Sequence, residues 1–572
     1  MATSSPYQPP VADYEFLFGE AFGLDLVARA TGGELSAEDA TEIVAGAGDF
    51  AAGVLAPLEA LGDREGARLE DGQVRLPAGF AEAYRAFVDA GWISAEAPVS
   101  AGGDGLPGAV RAGLGEIWNA SNAAFALCWL LSAGQIHALD AAASDHLREV
   151  YLTRLVSGEW TGTMNLTEPQ AGTDLGAIRT MATPRDDGSW AIRGQKIFIT
   201  WGDHDVAENI VHLVLARTPG APDGAKGLSL FVAPKHLVND DGTLGGRNAI
   251  TTVSIEHKLG IHASPTCVLA YEDATGYLVG ELHGGLAGMF VMMNSARAGM
   301  GFQATGIADR AYQQAAAYAA ERTQGQVLDR PAGAPIAEHP DVRRLLLSMS
   351  SRIFAMRAVG VFVGDLLDRD DDAAARRLAE FFVPILKAWT TEDTLQVTSE
   401  AIQVHGGMGF VEETGVAQHY RDVRITTIYE GTTAIQANDL IGRKVRRDGG
   451  AAVDALLAHI DETIATLREL DHPVAARTAD RLERAVSAAR RATADVLAFA
   501  PRDAAAAGVP YLMLLGTLAG GWMHGLSVAA VLGHAGLSED DGQRLTSADF
   551  YGSHHLPRVH ALAETVAEGE IA

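Results

Sequence analysis

The sequence predicts a multi-domain, mainly α fold in which a β domain is set between helical regions, and three observations carry that prediction. Apolar residues recur at spacings of three and four from Tyr14 to about Leu155, and again from Gly284 onward. Between Trp190 and Val279 the chain instead shows short β-branched or alternating runs punctuated by Gly, Pro, Asn and Asp. The length, 572 residues with 48% hydrophobic content, allows several buried cores, about three or four domains at ordinary domain size.

In chain order, residues 38–58 and 80–92 read as amphipathic helices, and the Gly/Pro-rich stretch 95–107 as a loop between helices. No G-x-G-x-x-G follows a strand, so a Rossmann nucleotide fold has no support. Composition changes near Trp160. Strand candidates are 190–192, 196–200, 210–216, 228–232, 251–256 and 266–271, a spacing that suits a small antiparallel barrel or sandwich. Helical periodicity then returns, and 297–322, 341–368 and 373–404 are long enough to build a bundle. A break at Asp448-Gly449-Gly450 opens a further helical region. The expected division is 1–160 helical, 161–283 β, 284–447 helical bundle and 448–572 an additional helical domain.

The formal charge of -29 repels phosphate backbones and argues against a nucleic-acid partner. Any phosphate-bearing cofactor must be met by arginines and helix N-termini gathered locally. Cys128 and Cys267 are too few for a metal cluster or a disulfide framework, so no metal is expected and a cytoplasmic, reducing setting fits. The Pro/Ser-rich start lacks the basic end and apolar run of a signal peptide, and the Asn165-Leu166-Thr167 sequon is read as chance. Residues 504–537 contain no Asp, Glu, Lys or Arg and are long enough to span a bilayer. His524, Ser527, His534 and many glycines dilute that signal. Gly516 and Gly520, then Gly521 and Gly525, place small residues one turn apart, which lets helices approach closely. A buried pair of helices without stable membrane insertion is expected, with membrane contact as the alternative.

Four segments carry chemistry. Met164 to Thr180, MNLTEPQAGTDLGAIRT, is a polar loop whose hydroxyls and backbone N–H groups suit a heterocycle edge or a pyrophosphate; alone it reads as a surface turn. GQKIFITWGD, from Gly194, is a strand ending in an aromatic and a threonine: Phe198 is able to stack on a flat ring and Thr200 to bond its edge. QVHGGMGF, from Gln403, has glycines that permit close approach to a phosphate, though Gly-Gly-x-Gly is commonly a helix cap. IYEGTTAIQ, from Ile428, puts Glu430 in an apolar stretch just before a helix start, where desolvation raises a carboxyl toward the working pH of a base; a capping or paired glutamate is the plainer alternative.

Together, in this order, the four segments resemble the acyl-CoA dehydrogenases over about residues 92–444. The region beyond it, with TGTMNLTEP and the ending Phe550-Tyr551-Gly552-Ser553-His554-His555, resembles the longer bacterial subgroup that includes 3-methylmercaptopropionyl-CoA and broad-range fatty acyl-CoA dehydrogenases. The resemblance implies an N-terminal helical domain, a middle β domain and a C-terminal four-helix bundle, with FAD held where they meet, in a homodimer or homotetramer. It makes Glu430 the catalytic base, with Gly431 beside it on the substrate side and Arg297 close to the CoA-thioester site. Thr167 would bond the pyrimidine edge of the flavin, Thr173 lie near its pyrophosphate, Phe198 stand over the ring and Thr200 meet N5. Arg322, Gln403 and Gly407 would reach the ADP half of FAD in a neighbouring subunit, and Thr432 is a further FAD contact. Phe198 replaces a frequent tryptophan, Gly325 a frequent phenylalanine and Ala434 a frequent glutamine, which puts those single contacts in question.

The activity implied is α,β-dehydrogenation of an acyl-CoA thioester to the trans-2-enoyl-CoA of fatty acid β-oxidation. Glu430 would take the α-proton while the backbone N–H of Glu430 and a ribityl hydroxyl steady the thioester oxygen. The β-hydride would pass to flavin N5, and electrons then to an electron-transferring flavoprotein. An acyl-CoA oxidase using oxygen and a non-catalytic acyl-CoA- or flavin-binding scaffold are the alternatives.

Overall fold

The computed structural model describes residues 5–23, 25–239, 241–369 and 371–570. Its contacts divide the chain into two compact units that interleave along the sequence. One comprises Met1–Ala52, Pro107–Ser121 and Arg297–Ala572, the other Gly53–Leu106 and Asn122–Ala296. Gly108–Ala142 runs as one long helix broken by non-helical geometry at Asn122, where the division falls.

In the first unit the long helices are Gly285–Glu321 (from Arg297 onward), Pro340–Asp368 and Ala373–His405. The last two pack side by side. Ala451–Glu469 and Pro473–Ala498 follow, and both pack against Gly508–Val531, which also meets Pro340–Asp368 and Ala373–His405. A helix surrounded by helices needs an apolar circumference, which is why residues 504–537 carry no charge. That run was expected to form a helix pair; apart from the short helix Pro501–Ala506 it forms the single helix Gly508–Val531. By length and composition this helix is able to cross a membrane, yet 83% of its apolar window is buried within the protein.

Its glycines mark where neighbours close in. A Cβ on Gly516 would lie 2.3 Å from Trp389 Cγ, and one on Gly520 would lie 2.3 Å from Tyr551 Oη. On Gly521 and Gly525 it would lie 2.7 Å and 2.9 Å from Leu556 and Leu482. The ending FYGSHH therefore packs on this helix, and Tyr551 Oη also donates to Thr517 O at 3.0 Å.

The second unit holds a seven-stranded sheet: Trp160–Asn165, Met181–Pro184, Trp190–Thr200, Asn209–Arg217, Leu228–Pro234, Ile250–Ile255 and Thr266–Val279. Thr266–Val279 pairs with both Trp190–Thr200 and Leu228–Pro234, and the pairings run on through Asn209–Arg217 and Met181–Pro184 until the ring closes. The two candidates 190–192 and 196–200 are one strand, because Gly194 continues the ladder opposite Tyr271. The sheet is not wholly antiparallel: Trp160–Asn165 runs parallel to Asn209–Arg217. That strand is buried on both faces and shows no alternation, so its sequence carries no strand period. Nor is the N-terminal region purely helical, since Arg68–Glu70 and Gln73–Arg75 form a hairpin around Asp71-Gly72.

Candidate active site

Glu430 sits in a turn between the 3₁₀ segment Arg424–Thr427 and the helix Thr433–Asp439, the helix start expected from Gly-Thr-Thr. Its backbone is left-handed at φ 55, and Gly431 follows at φ 94. A glutamate there is strained by about 1–2 kcal/mol, so the surroundings must hold it. Two side chains do so. Gln436 Nε2 donates to Glu430 O at 3.0 Å and to Gly431 O at 3.3 Å, and Lys387 Nζ donates to Gly431 O at 2.8 Å.

The electrostatics select the protonation state. Burial pushes the Glu430 carboxyl up to about 7, against the pull of Arg297 and Lys387. Burial also pushes the Lys387 ammonium down to about 8, although Glu430 and Glu392 oppose that shift. Arg297, 8% exposed, reaches Asp439 at 3.3 Å, while its Nε has no partner among the described residues. Burial, reinforced by Glu430, raises the Tyr429 phenol, whose hydroxyl donates to Gln303. A carboxyl balanced near neutrality beside two cations is suited to accept a proton.

Sequence reasoning singled out Glu430, Gly431 and Arg297, and the structure adds Lys387, Gln436 and Asp439 around them. Lys387 had a signal: it is the one charge in Phe381 to Thr391, and it is fully buried. Thr432 caps Thr433–Asp439 without bonding it through the side chain. Arg322, Gln403 and Gly407 are all exposed on this unit. QVHGGMGF acts as the helix cap it was alternatively read as: Gly406, at φ 61, ends the helix Ala373–His405, while a Cβ on Gly407 would meet nothing within 4 Å, so no neighbour in this chain requires glycine there. Met408 and Phe410 beside it are exposed, Phe410 to 90%.

In the second unit Thr167 and Thr173 lie on the loop, and Phe198 and Thr200 on the strand Trp190–Thr200. Ile197 N donates to Thr167 O at 2.9 Å, so the loop is stitched to Trp190–Thr200. Fully buried Lys196 reinforces the stitch, donating to Leu166 O and to Glu168 Oε1, each at 2.9 Å. Burial works against the Glu168 carboxylate, but Lys196, Thr180 and the Arg179 N–H outweigh it and hold the group down at about 2. Phe198 is left-handed at φ 58 and 58% exposed, an aromatic face turned out of the core. Thr167 and Thr200 are half-buried and Thr173 is exposed.

Comparison with known proteins places the chain in one family. The acyl-CoA dehydrogenase middle domain matches residues 163–274, the acyl-CoA dehydrogenase C-terminal domain 283–445, and an acetyl-CoA dehydrogenase C-terminal-like domain 456–572. A 3-methylmercaptopropionyl-CoA dehydrogenase of Ruegeria pomeroyi is 48% identical over 565 residues, covering 96% of each chain. The broad-specificity linear acyl-CoA dehydrogenase FadE5 of Mycobacterium tuberculosis is 34% identical over 611 residues, covering 98% of this chain and 97% of that one. Among solved structures, an acyl-CoA dehydrogenase of Bacillus anthracis complexed with FAD superposes with a TM-score of 0.76 at 22% identity, over 94% of this chain and 89% of that one. The chain therefore belongs to the acyl-CoA dehydrogenase family of FAD-dependent oxidoreductases.

Proposed function

We propose that the enzyme converts an acyl-CoA thioester to its trans-2-enoyl-CoA, with Glu430 as the base that takes the α-proton. The observation that carries this is a single carboxyl in a strained turn, raised to about 7 by burial and flanked by Arg297 and Lys387. A base of that strength is half ionised near neutrality, and it regains a proton readily once the α-carbon gives one up. Arg297, with an unsatisfied Nε, offers a donor for the thioester end of the substrate. The backbone N–H of Glu430 is the donor proposed for the thioester oxygen, worth about 3–4 kcal/mol of barrier in such sites.

The residues present fit FAD. No intramolecular side-chain hydrogen bond ties up the hydroxyls of Thr167, Thr173, Thr200 and Thr432 among the described residues, which leaves them to bond a flavin and its pyrophosphate. Phe198 presents a ring face in place of a tryptophan, and Arg322 supplies a guanidinium on an otherwise acidic protein. Bound FAD supplies the acceptor for the β-hydride, so the substrate loses a proton to Glu430 and two electrons with the second hydrogen. The exposure of Arg322, Gln403 and Gly407 supports their use by a second copy of the chain. An electron-transferring flavoprotein is the proposed final acceptor; peroxide release without one would favour an oxidase instead.

The test is anaerobic mixing of the yellow protein with a panel of straight-chain and thioether acyl-CoAs. Wild type should lose flavin absorbance with at least one of them. Glu430→Gln should keep its flavin and fail to bleach, by roughly 1,000-fold or more. Bleaching of that variant at the wild-type rate would remove Glu430 from the mechanism.

A further inference from the structure

The proposed base stands in a backbone conformation that glutamate disfavours, and two neighbouring side chains hold it. Glu430 and Gly431 are consecutive left-handed residues. Both residues are half-buried, and a carbonyl shielded there without a partner would cost about 1–3 kcal/mol. Gln436 covers both from the helix that follows. Lys387 comes from Ala373–His405, 44 residues earlier in the chain, and its only hydrogen bond among the described residues is to Gly431 O. It is 0% exposed. Burying an ammonium to hold one carbonyl is poor economy if a carbonyl is all it serves, since a neutral amide donor would do the same with less desolvation. The charge needs a second use.

We propose that Lys387 is a positioning residue for the dehydrogenation, fixing the Glu430–Gly431 turn through Gly431 O and standing as a cation beside the base. This inference rests on the assignment of Glu430 as the base. The charged and titratable groups facing Glu430 are Arg297 on Gly285–Glu321, Lys387 on Ala373–His405, and Tyr429 next to it in its own turn. Glu392 faces Lys387, and Asp439 pairs with Arg297. Arg297 is thus partly neutralised by its own carboxylate, whereas Lys387 makes no ion pair within salt-bridge distance among the described residues. Arg297 still exerts the larger pull on the Glu430 carboxyl, and the lysine charge adds to it. It keeps the carboxylate ionised ahead of proton transfer, which desolvation alone would oppose. Because burial brings Lys387 to about 8, the charge is present at neutral pH and fades above it.

The experiment is anaerobic flavin reduction by acyl-CoA across pH 5.5–9.5 in wild type, Lys387→Met, Lys387→Gln, Lys387→Arg and Glu430→Gln. The two neutral variants should retain flavin and reduce it roughly 10- to 100-fold more slowly. The midpoint of their acid limb should move up by about one pH unit, because the cation that favoured ionised Glu430 is gone. Lys387→Arg should return the midpoint to the wild-type value without restoring the full rate. A wild-type midpoint in Lys387→Met and Lys387→Gln, or an equal shift in Lys387→Arg, overturns the proposal. Should neither neutral variant fold, Lys387→Arg decides alone: a kept midpoint with a slower rate supports it, and a raised midpoint overturns it. Failure of the underlying base assignment is seen separately, as bleaching by Glu430→Gln.

Discussion

As the proposed base, Glu430 costs the fold stability, and the cost has a measurable sign. Burial raises its carboxyl to about 7 in the folded protein, against an ordinary value of 4.5. Between those pH values the folded state holds a proton that the unfolded chain has released. The stability this contributes is complete below pH 4.5 and lost as pH rises through 7. At pH 8 the folded protein must keep a desolvated anion that a neutral side chain would spare. Glu430→Gln should therefore melt higher than wild type at pH 8, by an amount on the order of 2 kcal/mol, and equal to it near pH 5. Thermal melts at the two pH values check this, and a difference independent of pH would show that the gain comes from packing. Glu430 was legible because a lone carboxylate in IYEGTT stands out in its own window. Lys387 was not legible as part of the site. Its meaning lies in an atom 44 residues away, and no local pattern reports which carbonyl a buried lysine reaches.

At the scale of elements, the helices and most strands followed their periods, and the failures have a common cause. Trp160–Asn165 is buried on both faces, so burial erased the alternation that identifies a strand. Gly508–Val531 is buried around its circumference, so nothing in its composition separated a core helix from a helix pair or a membrane span. What did survive in the sequence was the glycine spacing, and the structure gives it a use in close packing. Gly520→Ala tests that use. Alanine would gain up to about 1 kcal/mol of helix propensity. Its Cβ, however, would fall 2.3 Å from Tyr551 Oη and 2.9 Å from Cζ, and overpacking of a core typically costs about 1–3 kcal/mol. The clash should win and lower the melting temperature. Tyr551→Phe removes the nearest atom, so the double variant should lose less than the sum of the single losses. A Gly520→Ala protein as stable as wild type would show that Tyr551 moves aside freely.

Across the whole molecule, acidification sets two effects against each other. The chain carries a formal charge of -29, and protonating surface histidines relieves some of that self-repulsion. Four buried histidines act in the opposite direction. Burial pushes His204 and His212 in the second unit down to about 3. It likewise pushes His524 down to about 4 and His555 to about 2 in the first, with Arg352 and Arg558 adding to the shift at His555. Each is neutral when folded and takes a proton on unfolding once pH drops below 6.5. The stability they contribute is present above that pH and lost as pH falls toward their folded values. By pH 5 each has given up as much as about 2 kcal/mol, which for two histidines in a unit is a large part of a typical 5–15 kcal/mol total. Surface repulsion is screened by salt, whereas the buried groups are not. The melting temperature should therefore fall steadily from pH 7.5 to pH 5, and 0.5 M salt should not restore it. A melting temperature that rises on acidification, or a loss that salt reverses, would mean that surface charge governs instead. If the fall is seen, the ionisation of Glu430 and the neutrality of these histidines favour the same side of pH 7. Above pH 7 the proposed base is ionised and the histidines contribute fully, while ionised Glu430 itself takes back part of that stability in the first unit.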